Sequence, residues 1–129
     1  MRDYAPRMNE PDGVRARLRA ALPAALKARD AGAVAAIRST LAAIDNAEAV
    51  DARAPVVEHA RIAGTAGELG AGEAARATLT ERQQREVVER EVAERRAAAD
   101  EYDRHGHDEQ AARLRTEADL VASFLVRPA

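Results

Sequence analysis

From Thr80 to Pro128 the chain spells out a capped helix, a glycine turn and a second helix, and this order constrains the fold more than any other stretch. Thr80 followed by Gln83 is a capping box, in which each side chain satisfies a free backbone N–H at the helix start. Val88, Val92, Ala99 and Tyr102 then recur at helical spacing as a stripe for burial. Glu81 with Arg85, Glu86 with Arg90 and Glu91 with Arg95 stand one turn apart, where an exposed pair adds about 0.2–0.5 kcal/mol. Gly106 suits the left-handed conformation that ends a helix. From about Asp108 a second stripe follows, Leu114, Ala118, Val121, Phe124 and Leu125, until Pro128 stops it.

The first half repeats the theme with more interruptions. Val14, Leu18, Leu22 and Leu26 recur every four residues, and Pro23 breaks in at a cost of about 3 kcal/mol for a helix interior. The reading is a kink, or a helix that effectively begins near Pro23. After Gly32, Val34, Ile37, Leu41 and Ile44 form a bundle seam. Periodicity lapses from Ala52, where Pro55 and the glycines at 64, 67, 70 and 72 punctuate the chain, though Val56, Val57 and Ile62 could nucleate a short helix. The expected fold is all-α: two helical hairpins forming a small bundle with an irregular connection. Residues 1–12 read as a flexible leader, and 13–127 as a single helical domain with a loop at about 52–79.

Composition narrows the function. At 129 residues the chain has room for one domain and at most one activity. Aromatics are only 2%, so the interior must be built from Leu, Val, Ile and close-packed Ala. There is no cysteine, no apolar signal core at the N-terminus and no run near the ~18 apolar residues of a membrane helix, so a cytoplasmic protein is expected. The net charge of −2 hides an asymmetry, because between Val14 and Ile44 Arg15, Arg17, Arg19, Lys27, Arg29 and Arg38 face only Asp30. Arginine suits phosphate and carboxylate, which makes Arg15, Arg19 and Arg29 a candidate RNA or partner surface. Tyr4, Tyr102 and Phe124 do not interleave with these charges as a base-stacking platform requires.

Catalytic chemistry finds little to work with. The hydroxyls have no readable His-plus-acid arrangement, and the Gly67–Gly72 segment follows no strand, so it reads as a loop and not a phosphate cradle. His105 and His107 flank Gly106 beside Asp108 and Glu109, the one cluster with the ligand types of a metal site. A structural site needs four ligands and a helix turn exposes polar residues for solubility alone, so the cluster reads as a solvated turn and no metal is assigned. His59 stands alone, and adjacent carboxylates such as Asp100 with Glu101 diverge on a helix. No cofactor and no catalytic residue is assigned.

The segment Ile37–Glu48, IRSTLAAIDNAE, is similar to the second helix of the bacterial GatB/YqeY family through Arg38, Asn46 and Glu48. Arg90, Glu91, Arg95 and Arg96 resemble the family's Arg-Glu and Arg-Arg positions, Tyr102 its aromatic, Gly106 its turn and Glu117 an acid of its last helix. The resemblance spans roughly residues 14–126. It departs at Phe124-Leu125-Val126, where the family runs Tyr-Leu-Pro, and at the absence of the small tail domain. Such relatives form the helical and tail region of a glutamine-dependent tRNA amidotransferase subunit, while amide transfer occurs in a separate catalytic domain. The resemblance therefore implies a noncatalytic module, kin to carbon-nitrogen ligases with glutamine as amide donor, with tRNA or an amidotransferase-type protein as partner. Neither DNA nor membrane is expected. The alternative is a standalone helical protein-interaction module. Arg38, beside the Ile37–Ile44 seam, is expected to pair internally with Glu91 or Glu117.

Overall fold

Apolar residues spaced three and four apart in an alanine-rich chain build helices, and a computed structural model of the protein contains four among the residues it describes, with no strand. These are α1 (Val14–Lys27), α2 (Ala31–Ala63), α3 (Glu81–Arg104) and α4 (Asp108–Ser123). The described residues are 13–63 and 78–126, with side chains for 13–51 and 78–126. The expected leader and the glycine-bearing part of the connection, residues 64–77, lie outside them.

Two helices depart from the sequence reading. α1 does not begin near Pro23. It starts at Val14 and runs through Pro23 to Lys27, because Val14 and Leu18 are fully buried and anchor its first turns while Pro23 sits on an exposed position. α2 begins at Ala31 and continues to Ala63, so helix occupies the first part of the expected 52–79 loop. Ala49, Ala52, Ala54, Ala60 and Ala63 all favour that state.

Both hairpins turn by the same device. After α1, the Arg29 amide donates to Leu26 O at 3.0 Å and the Asp30 amide to Ala25 O at 3.1 Å, the paired bonds of a Schellman turn, with Arg29 left-handed at φ 56°. After α3, the Gly106 amide reaches Asp103 O at 3.0 Å and the His107 amide Tyr102 O at 2.8 Å, with Gly106 at φ 78°. Gly106 ends the helix as its type predicts. Asp30 then starts α2 by accepting the Ala33 amide at 3.1 Å. The capping box also forms: Gln83 N donates to Thr80 Oγ1 at 3.1 Å and Thr80 N to Gln83 Oε1 at 2.9 Å.

Cross-helix bonds fix the topology. Val14 meets Glu81, Arg15 meets Glu48, Arg95 meets Ser39 and Arg96 meets Asp119, so each helix runs antiparallel to the next. The shared core gathers Val14, Leu18, Ile37, Ile44, Val88, Val92, Ala118 and Val121, with Phe124 and Leu125 packed against it. Expectation and structure part at the far end of the second hairpin. Leu114 is half-buried and outside the core cluster, and Tyr102 is 40% exposed. Every residue from Asp100 to Gln110 is exposed, since each helix there has chiefly its hairpin partner to lie against.

Candidate functional site

Charged side chains tie one helix to another in three places, each using residues far apart in sequence. At the first, Arg15 of α1 reaches α2 with one guanidinium nitrogen, 2.9 Å from Glu48 Oε1 and 3.1 Å from Asp45 Oδ1. Glu48 Oε2 accepts the Leu79 amide at 3.0 Å, which pins the approach to α3. Burial pushes the Glu48 carboxyl up, but the Arg15 and Leu79 hydrogen bonds, with the charges of Arg15 and Arg19, outweigh it and hold the carboxyl below its ordinary value. The Arg15 side chain is only 17% exposed. It is therefore a bridge between helices and does not join Arg19 and Arg29, both exposed, on one open cationic face.

The second cluster centres on Arg95 of α3, whose side chain is 12% exposed. It bonds Glu91 Oε1 at 3.0 Å, the Ser39 hydroxyl of α2, and lies 3.6 Å from Glu117 Oε1 of α4. Three family-matched positions thus come together, and the central cation is Arg95. Arg38 is exposed and does not pair with either acid, because on α2 it points away from the seam that faces α3 and α4.

The third closes helix ends. Glu81, first residue of α3, accepts the Val14 amide at the start of α1 through Oε2 at 3.1 Å, where Gly13 offers no capping side chain. Arg17 of α1 donates to Phe124 O and Arg85 of α3 to Leu125 O at 2.5 Å, placing two cations at the negative end of α4. The sequence reading missed this role for Glu81, Arg17 and Arg85. Glu81–Arg85 looked like an ordinary one-turn pair, whereas each side chain turns to another helix. Of the three expected one-turn pairs, Glu91–Arg95 forms among the described residues. Neighbouring Arg82–Glu86 also pairs, at 3.8 Å.

At the α3–α4 turn, Arg115 donates to Asp103 and Asp100, each at 2.7 Å. The hydrogen bond to Asp103, then that to Asp100, outweighs the small desolvation of the guanidinium and raises its pKa. At the same turn an open depression of about 440 Å³ is lined by Ala98, Glu101, Tyr102, His105 and His107. The Tyr102 and His107 rings meet edge-on, centroids 5.9 Å apart and planes at 77°. His105 Nδ1 lies 2.9 Å from Glu101 O. Among the described residues no three His, Asp or Glu side chains converge as a metal would need, so His105, His107, Asp108 and Glu109 do not form a ligand set. His59 falls among residues whose side chains are not described.

Of the remaining family-matched positions, Asn46 and Arg90 are exposed, and Arg96 pairs at 3.3 Å with Asp119 on the surface. No helix among the described residues is long and apolar enough to cross a membrane. No protein-family model matches the chain, and no curated protein or solved structure matches it.

Proposed function

We propose that the protein is a noncatalytic helical module working with glutamine-dependent amidotransferase or other tRNA-related machinery in the cytoplasm. The observation that carries the noncatalytic half is how the ionisable residues are engaged. Glu48, Glu91, Arg95 and Glu117 bind side chains or backbone of other helices or of their own turn, and Arg15 bridges α1 to α2. They act as interhelical ties, whereas an acid–base pair needs groups positioned on a reacting atom. The family resemblance supports the tRNA or amidotransferase half. The surface offered to such a partner is the exposed cationic set Arg19, Lys27, Arg29 and Arg38 on α1, α2 and their turn.

A few exposed arginines give weak, salt-dependent affinity through counterion release, at most in the micromolar range of nonspecific binding, roughly 10⁻⁴ to 10⁻⁶ M. Titration of labelled tRNA with the protein and with an Arg19→Glu/Lys27→Glu/Arg29→Glu variant, at low and physiological salt, tests this. Binding lost in the variant supports the surface; equal binding by both removes it. Arg15 is left intact because it bridges α1 and α2.

A second reading, a protein-interaction module without RNA, draws on the exposed Leu26, Val50 and Tyr102, which are 47%, 61% and 40% exposed. A pull-down from native lysate with and without nuclease separates the two. Protein partners that survive nuclease, with no RNA recovered, favour the second reading.

A further inference from the structure

The outer seam between α1 and α2 carries apolar surface and cations that the interhelical ties leave unused. Arg15 meets Asp45 at 3.1 Å, and this pair sets the antiparallel register of the two helices. Counting from it by four, three and four residues keeps to one edge of each helix and places Arg19 opposite Leu41, Leu22 opposite Arg38 and Leu26 opposite Val34. Leu22, Val34 and Leu41 lie half-buried along the seam, while Leu26 is 47% exposed. Around this apolar strip Arg19, Lys27, Arg29 and Arg38 are all exposed, and among the described residues no acid forms an ion pair with any of them. Two nearby acids are already engaged: Asp45 holds Arg15, and Asp30 caps the Ala33 amide at 3.1 Å.

From this arrangement we infer that the seam is a docking groove for an acidic amphipathic helix of a partner protein. Charge complementarity sets the flanks of that helix: Arg19 on α1 and Arg38 on α2 stand on opposite banks, so carboxylates are matched on both of its sides. The strip between the banks matches its apolar face. From Arg19 to Leu26 the strip runs about 10 Å, two helical turns, which accommodates apolar anchors one turn apart. The groove between two antiparallel helices receives a third by the fit of ridges into grooves. RNA phosphates would engage the cations and leave Leu26 in water. A flat bilayer would rest on the helix crests without reaching Leu22, Val34 and Leu41. The inference rests on the reading of the α1–α2 face as the partner surface, and commits that face to a protein helix.

The probe is a labelled, capped, alanine-based peptide of about 18 residues, with leucines along one helical face and glutamates on both flanks. Two comparison peptides carry lysine in place of the glutamates, or serine in place of the leucines. Anisotropy titration with the full chain should show clear binding of the leucine–glutamate peptide alone. Arg38→Glu should weaken it about two- to fivefold and Leu26→Ala about five- to tenfold, whereas Arg113→Glu on α4 should change nothing. Leu26→Ala should leave any tRNA binding unaltered, because phosphate contacts do not use the leucine. Circular dichroism of each variant checks that the helices persist. Binding of tRNA without the peptide would overturn the groove and leave the cationic surface to RNA, whereas binding of the peptide without tRNA would support the groove and remove the tRNA reading. Binding of neither, equal binding of the serine peptide, or unchanged binding in Leu26→Ala would overturn the groove. So would a dimer of the protein, or adsorption to anionic vesicles, that is lost in Leu26→Ala while the peptide does not bind.

Discussion

The carboxylate of Glu81 caps the amide of Val14 across 67 positions of sequence, so the first turn of α1 is closed by the first residue of α3. A capping oxygen is worth about 1 kcal/mol. Glu81→Ala should lower stability in urea by about that amount. Gly13 has extended backbone at φ −67° and ψ 154°, the geometry of an N-cap, so Gly13→Ser should restore most of the loss by supplying a local oxygen. A double variant no more stable than Glu81→Ala would show that the cross-helix bond does more than cap.

The folded-state pKa of Glu48 is depressed, so its carboxylate contributes stability that is present above its unfolded-state pKa and lost as pH falls through the folded value. Urea midpoints measured from neutral pH into the acid range should fall less steeply for Glu48→Gln than for the wild-type protein. Parallel curves for the two would remove Glu48 from the acid response.

At the two Schellman turns, one left-handed position is filled by arginine and the other by glycine. Arg29 carries the strain of an L-residue at φ 56°, so Arg29→Gly should stabilise by about 0.5–1 kcal/mol after the entropy of the freer unfolded chain is subtracted. Gly106→Ala should destabilise by about 1 kcal/mol. Thermal melts of both variants read the opposite signs.

Core substitutions should separate Leu18 from Leu114. Leu18 is fully buried, and Leu18→Ala should cost about 2–5 kcal/mol as a cavity. Leu114→Ala, at a half-buried position beyond the shared core, should cost distinctly less in the same urea titration.

Sequence pattern showed whatever depends on near neighbours. The capping box at Thr80, the left-handed Gly106 and the buried positions Ile37, Ile44, Val88, Val92, Ala118 and Val121 are set by spacing within one helix, and spacing is what a sequence displays. The partners of the charged residues were hidden for the opposite reason. Arg38 and Arg95 both lie near apolar stripes, and only the relative rotation of α2 and α3 decides that Arg95 meets Glu117 while Arg38 meets solvent. Arg15 likewise looked like a surface cation until α2 brought Asp45 and Glu48 beside it. The extension of α2 to Ala63 shows local punctuation giving way to helix propensity. The GatB/YqeY resemblance and the tRNA or amidotransferase partner rest on the sequence motifs.

Glu81 completes the beginning of α1, and Arg17 of α1 completes the end of α4. Neither hairpin therefore carries all of its own terminal hydrogen bonds. If one hairpin detaches, the other is left with bare amides or carbonyls at an end, so a half-unfolded molecule is penalised twice, by exposed core and by open helix termini. Amide exchange should accordingly release α1 and α4 together, in a single opening event, despite their separation along the chain.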